Sequence, residues 1–308
     1  MERRRRIGAY GIARDEQGRL LLVRSSARSN HPGRWFLPGG GLNHGEDPAA
    51  GLAREFLEET GLTVRITGLH GVSSDLVDMP WRGVLLHHDR VVYDVEVVGG
   101  ELTVETAGTS DLPAWVEPAR LAELPVIPFV ARTLGLPEPV GDGPAPPAAD
   151  ESGELSADGR LVRQSNRVMR FGAYGIVTDP AGRVLLSLTS PGYPGAGHWH
   201  LPGGGTDFGE QPHVGLLREI YEETGQVGEV TELVEVGSSH NPAAVGPEGV
   251  PLDWYVVRAV FRVTVADPTV PVVTEVSGST CDAAWFHPAE LGGVRLTDMA
   301  NRELRHIR

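Results

Sequence analysis

The chain has 308 residues, long enough for two domains that each bury a core. Its formal net charge is −14, with 41 acidic residues against 27 basic ones. The resulting field repels nucleic-acid backbones and anionic membranes, so neither polymeric nucleic acid nor a membrane is an expected partner. A small polyanion stays admissible where divalent cations bridge it to the protein. The single cysteine, Cys281, excludes an intrachain disulfide, fits a reducing cytoplasmic setting and reads as a small core or loop residue.

In chain order, Arg3, Arg4, Arg5 and Arg6 read as a charged lead-in to a strand rather than an export signal, because the apolar stretch 7–12 stops at Ala13-Arg14-Asp15. No apolar run approaches the ~18 residues of a membrane span. A turn at 15–18 precedes a predicted strand over 19–23, and a further strand is predicted over 91–98. The segment Gly8-Ala9-Tyr10-Gly11-Ile12 returns as Gly172-Ala173-Tyr174-Gly175-Ile176, a shift of 164 (172 minus 8). The same shift carries Trp35 onto Trp199, Leu37-Pro38-Gly39-Gly40-Gly41 onto Leu201-Pro202-Gly203-Gly204-Gly205, and Arg54-Glu55 onto Arg218-Glu219. The chain is therefore a duplicated domain. The first copy is expected over 1–137 and the second over 163–308, with predicted strands over 183–186 and 255–265. Between them, 138–162 is a linker of proline, alanine, glycine and acidic residues, unable to bury much apolar surface.

Asp47-Pro48 supplies a helix opening and Gly61 a stop, which predicts a helix over 48–60. At ~100° per residue, Glu55, Glu58 and Glu59 fall on one face and Ala53, Phe56, Leu57 and Thr60 on the other. The second copy sets Glu219, Glu222 and Glu223 opposite Leu217, Ile220, Tyr221 and Thr224. Three carboxylates at i, i+3 and i+4 repel one another, and hard oxygen donors on so short an arc suit Mg²⁺ or Mn²⁺. A solvated acidic face is the other reading of the same pattern.

The spacing runs Gly40, five residues, Glu46, seven residues, then Arg54-Glu55-Phe56-Leu57-Glu58-Glu59-Thr60-Gly61-Leu62. This resembles the Nudix box position for position. The second copy, from Gly204 through Glu210 to Arg218-Glu219-Ile220-Tyr221-Glu222-Glu223-Thr224-Gly225-Gln226, departs only at Gln226, where the family expects an aliphatic residue that helps seat the helix end. The resemblance to the Nudix hydrolase superfamily covers nearly all of both copies. It implies two tandem α/β/α sandwich domains, each a mixed β-sheet flanked by helices, with the box as loop-helix-loop.

The resemblance also implies roles. Glu55, Glu58 and Glu59, and in the second copy Glu219, Glu222 and Glu223, would hold Mg²⁺ or Mn²⁺, with the carbonyls of Gly39 and Gly203 as further ligands. Water would then attack phosphorus in a diphosphate linkage of a nucleoside diphosphate derivative or another organic diphosphate. Arg54 and Arg218 would brace the acids, with Glu46 and Glu210 in structural or outer positions. The glycine runs, Gly40 and Gly204 among them, bring backbone close to metal or phosphate; a simple tight turn is the other reading. Glu105 and Glu275, each ten residues before a tryptophan, are candidates for the general base, or ordinary loop acids. Arg24 sits where related proteins contact substrate phosphate, but its counterpart is Leu188, so the two pockets are expected to differ. Tyr10, Tyr174, His87, His88, His198 and His200 either line pockets or pack. Two alternatives stand beside this reading: one catalytic copy with the other a dimerisation or effector module, and a non-catalytic sensor of a nucleotide metabolite. Regulators of the latter kind usually carry an attached DNA-binding domain, for which the linker and termini are expected to leave no room. Two fused copies are compatible with an internal pseudo-dimer, and the chain with a homodimer.

Overall fold

A computed structural model describes residues 1–105, 108–138, 166–246, 249–274 and 278–307. Most of the linker expected over 138–162, and Glu275, lie outside the described residues. The chain divides into two compact units, Met1–Arg167 and Val168–Arg308.

The first unit opens with strand β1 (Glu2–Ala13), followed by β2 (Leu20–Ser25), β3 (Trp35–Phe36), β4 (Gly39–Gly41) and helix α1 (Pro48–Thr60). A long hairpin, β5 (Leu62–Met79) with β6 (Val84–Gly100), then leads to β7 (Ser110–Val116) and helix α2 (Pro128–Leu134). One sheet runs β4-β1-β6-β5 and a smaller one β3-β2-β7. Strand β1 is parallel to β6, with Ala9 opposite Val91, and antiparallel to β4. Side chains alternate across β1. Tyr10 and Ile12 join Leu20, Leu37, Phe129 and Val130 in the core beneath α2. On the opposite face Gly11 admits α1: a Cβ there would stand 2.9 Å from the Phe56 ring. The sheet thus lies between two helices.

The second unit repeats the plan with β8 (Arg167–Thr178), β9 (Val184–Thr189), β10 (Trp199–His200), β11 (Gly203–Gly205), α3 (Pro212–Thr224), β12 (Glu229–Val245), β13 (Pro251–Thr264), β14 (Thr280–Phe286) and α4 (Asp298–Glu303). Here all seven strands form one sheet, because β8 pairs with β9 through Val177 and Thr178. The matching junction of the first unit is a single bridge, Arg14 with Leu20. Among the described residues no helix is long and apolar enough to cross a membrane.

Local chemistry accounts for the elements that carry the acids. The Asp47 side chain accepts the Ala49 N–H at 2.9 Å, Pro48 occupies the first turn, and Gly61 closes α1 at φ 73°. Before β2, Asp15 accepts the N–H groups of Gln17 and Arg19 and pairs with the Arg19 guanidinium at 2.6 Å, tying the predicted turn.

Three expectations need correction. The arginines at 3–6 are not a lead-in but lie within β1, and Arg5 pairs at 2.6 Å with the fully buried Asp89. The packed stripe of α1 is Gly51, Leu52, Phe56, Glu59 and Thr60, while Ala53 and Leu57 are exposed. In α3 Tyr221 is likewise exposed and Leu217 only partly buried. The stripe is rotated because one carboxylate per helix, Glu59 or Glu223, is drawn inward by a backbone donor rather than left among its repelling neighbours. Cys281, finally, is exposed on β14, neither core nor loop.

Candidate functional site

Each site assembles where a three-glycine strand meets the box-bearing helix. Strand β4 pairs Gly41 with Gly8 and Gly39 with Tyr10. Gly39 has φ 136°, and a Cβ there would collide with the Ala9 carbonyl and Tyr10 Cα. At Gly40 a Cβ would run into the Glu55 carboxylate, and at Gly204 it would stand 2.8 Å from Glu219 Cδ. These glycines form a strand, not a tight turn, and they let backbone approach a carboxylate without an intervening side chain.

The Gly39 N–H donates to Glu59 Oε2 at 2.9 Å, and Gly203 N–H to Glu223 Oε2 at 3.0 Å. Arg54 distributes the remaining acids. Its Nε and Nη2 each reach Glu46 at 2.8 Å, Nη1 reaches Glu55 at 2.8 Å and Glu58 at 3.2 Å, and Nη2 also donates to the Gly41 carbonyl. Arg218 does the same with Glu210, Glu219, Glu222 and Gly205. A planar five-donor guanidinium can serve three carboxylates and a carbonyl at once; an ammonium cannot. Glu46 and Glu210 also accept the N–H groups of Asn43 and Asp207 at 2.8 Å, which fixes the loop before each helix.

Other candidates fall as follows. Glu105 lies close enough to Glu59 to oppose its ionisation, and its carboxylate accepts the Ser110 N–H and hydroxyl at 3.0 and 2.9 Å. Arg24 pairs with Asp111 at 2.8 Å, both partly exposed. His88 and Tyr10 meet at 3.4 Å, and Tyr174 and His200 pack with ring centroids 5.2 Å apart. Gln226, the departure from the box, is buried; its amide donates to the Thr224 carbonyl and Thr269 hydroxyl and accepts the Thr269 N–H. A polar clasp thus seats the helix end where Leu62 packs in the first unit.

Sequence reading passed over four residues. Ser187 and Thr280 donate to Glu223 at 3.1 and 2.5 Å, whereas their neighbourhood in the first unit offers Val23 and a Ser110 turned to Glu105. Arg6 and Arg170 set their guanidinium groups over Gly41 and Gly205. The shift of 164 pairs both arginines, a signal available from the repeat itself.

Burial pushes Glu59 well above the usual carboxylate range, with Glu55, Glu105 and Glu58 acting in the same direction. Burial raises Glu55 too, against the pull of Arg54. Glu223 is raised by burial to about 7, although Thr280, Gly203 and Ser187 pull it down. A carboxyl raised on folding contributes stability fully below its unfolded pKa near 4.5 and loses it as pH climbs through about 7. The metal-free second unit should therefore lose on the order of 3 kcal/mol between those limits. Glu223→Gln should flatten that slope in thermal melts run in chelator across the range; an unchanged slope would assign it elsewhere.

The donor set suits a hard divalent cation: three carboxylates from one helix, one of them buried at cost beside an open glycine backbone. No three of these glutamates bring oxygens within 4.8 Å of one another, because Arg54 and Arg218 hold two and a glycine amide the third. Bound charge would replace the arginine and amide as the partner that offsets their repulsion.

A family model for the NUDIX domain matches residues 4–134 and 168–307. A MutT-like protein of Streptomyces ambofaciens is 31% identical over 128 residues, covering 42% of this chain and 74% of that protein. An ADP-ribose pyrophosphatase of Methanocaldococcus jannaschii is 36% identical over 90 residues, 29% of this chain and 49% of that protein, so about half of that relative is matched. Among solved structures, a MutT NUDIX hydrolase from Burkholderia pseudomallei is 27% identical; the match covers 46% of this chain and 99% of that one, with a TM-score of 0.37.

Proposed function

This chain belongs to the NUDIX domain family of phosphorus-anhydride hydrolases, and from that premise we propose that each domain cleaves a diphosphate linkage in a nucleoside diphosphate derivative or another small organic diphosphate. The observation that carries the reading is the same arrangement formed twice: a glycine strand, a buried glutamate on its first amide, and one arginine holding three further glutamates.

Glu55, Glu58 and Glu59, with the Gly39 carbonyl, would hold Mg²⁺ or Mn²⁺, as would Glu219, Glu222, Glu223 and the Gly203 carbonyl. Bound there, the metal supplies charge neutralisation of the diphosphate and a water that is nucleophilic near neutral pH. The chain's own residues do the rest. Arg54 holds and orients Glu55 and Glu58, and Arg218 does the same for Glu219 and Glu222. Gly40 and Gly204 leave room for phosphate oxygens. Glu105 accepts the proton of the attacking water, while Ser110 holds its carboxylate in place; Glu275 takes the same role by its matching position before Trp285. Attack at phosphorus breaks the bridging P–O bond and releases two phosphorylated products, or a monophosphate and inorganic phosphate.

The test is metal-dependent phosphate or monophosphate release from a panel that includes ADP-ribose, nucleoside triphosphates, nucleotide sugars and isoprenoid diphosphates. No turnover of any compound with Mg²⁺ or Mn²⁺ would remove the reading. With the second domain silenced by Glu222→Gln/Glu223→Gln, Glu105→Gln should lower turnover by roughly 10²–10⁴. Unchanged turnover would take the base role from Glu105.

A further inference from the structure

The two domains place an arginine at one and the same point of the sheet and treat it in opposite ways. Arg90 on β6 lies opposite Ser73 of β5, and Asp75 lies opposite His88. Arg258 on β13 lies opposite Gly237 of β12, and Ser239 opposite Val256. Asp75 and Ser239 are therefore the same position in the two hairpins, as are Arg90 and Arg258. Both arginines approach a repeated tyrosine, Tyr10 or Tyr174, which pairs in turn with Gly39 or Gly203 and feels the box glutamates.

In the first domain the arginine has a carboxylate counter-ion. Arg90 is 5% exposed, its guanidinium pairs with Asp75 and stands 4.5 Å over the Phe129 ring, and Arg132 also reaches Asp75 at 3.1 Å. These residues and His31 line a groove of about 320 Å³ whose charges are already matched. In the second domain Ser239 replaces the carboxylate, and Arg258 has only that hydroxyl at 2.9 Å and the Tyr174 side chain. Among the described residues no acid pairs with Arg258. The same sheet face carries Arg170 over the Trp254 ring at 5.6 Å, and His200, which burial and Arg258 hold uncharged. A partly exposed guanidinium without a counter-ion, reaching the tyrosine whose backbone pairs with Gly203, has an oxyanion as its natural partner.

We infer that Arg258 grips an anionic oxygen of the substrate's phosphate chain in the C-terminal domain, whereas Arg90, neutralised by Asp75, makes no such contact in the N-terminal one. The inference rests on the hydrolase reading above and gives the two domains different grips on the phosphate chain.

The test is calorimetric titration of the full chain with methylenediphosphonate, a diphosphate that cannot be hydrolysed, with Mn²⁺ and in chelator. Glu58→Gln/Glu59→Gln isolates the C-terminal site. There Arg258→Met and Ser239→Asp should each weaken binding at least about tenfold, the scale of one charge-assisted hydrogen bond. Ser239 is exposed, so its substitution leaves the melting temperature in place and guards against misfolding of the arginine variant. In the reciprocal Glu222→Gln/Glu223→Gln chain, Asp75→Ser should tighten binding. Affinities unchanged in both C-terminal variants, with Mn²⁺ dependence intact, would overturn the inference and leave the hydrolase reading standing. Binding that depends on Arg258 but not on Mn²⁺ would keep the inference and remove the metal reading. Absence of binding to the otherwise unmodified chain would overturn both.

Discussion

Glu58→Gln/Glu59→Gln should abolish diphosphate hydrolysis by the N-terminal domain, and Glu222→Gln/Glu223→Gln that of the C-terminal one, each by on the order of a hundredfold or more. Glutamine keeps the size and one carbonyl acceptor, so Glu59→Gln can still receive the Gly39 amide. What it removes is the charge that a divalent cation needs. The fold should tolerate the change, since a buried carboxylate among like charges costs more to keep than an amide. Phosphate release from the diphosphate panel, run on each double variant and on the quadruple one, gives the measurement. If the quadruple variant kept full turnover, the acidic faces would be ornament and the chemistry elsewhere. If one pair alone abolished all turnover, a single domain would do the work.

Gly39→Ala should destabilise the first unit by about 3 kcal/mol or more, a large part of a domain's typical 5–15 kcal/mol. Two costs combine. At φ 136° an alanine is strained, and its Cβ would meet the Ala9 carbonyl and Tyr10 Cα, backbone atoms locked in the β1–β4 ladder. Gly203→Ala should act alike on the second unit through Ala173 and Tyr174. Gly18→Ala is the control: φ is 76° but nothing lies within 4 Å, so the cost should stay near 1 kcal/mol. Urea unfolding read by fluorescence separates these outcomes, and equal shifts at Gly39 and Gly18 would show that the close approach to β1 carries no energy.

The box was legible because its signals are local. An N-cap acid, a proline and a terminal glycine bound α1 at the residues where it starts and stops, and the repeat shift delivered α3 although Gln211 makes no side-chain cap. What the sequence hid is set by contacts distant in the chain. Glu59 turns inward because an amide twenty positions earlier awaits it, which a helical wheel cannot register. Arg5 reads as part of a charged lead-in to the strand because Asp89, its partner, comes alongside only through β6. Ser187 and Thr280 were ordinary strand residues until β9 and β14 placed both hydroxyls on Glu223. The joining of the second unit into one seven-stranded sheet, against two sheets in the first, turns on two residue pairs that composition does not distinguish.

The Arg54 clamp has a consequence for how the two copies drift apart. A residue engaged with four others can change only if they change with it, and the clamp reads Glu46, Arg54, Glu55, Glu58 in one copy and Glu210, Arg218, Glu219, Glu222 in the other, type for type. The sheet face that carries Arg90 or Arg258 obeys no such restraint: Leu86, His88 and Asp75 stand where the other copy has Trp254, Val256 and Ser239. Between the two copies substitution has thus fallen on this face and spared the clamp. The chain is its own record of which positions a catalytic lineage is free to explore.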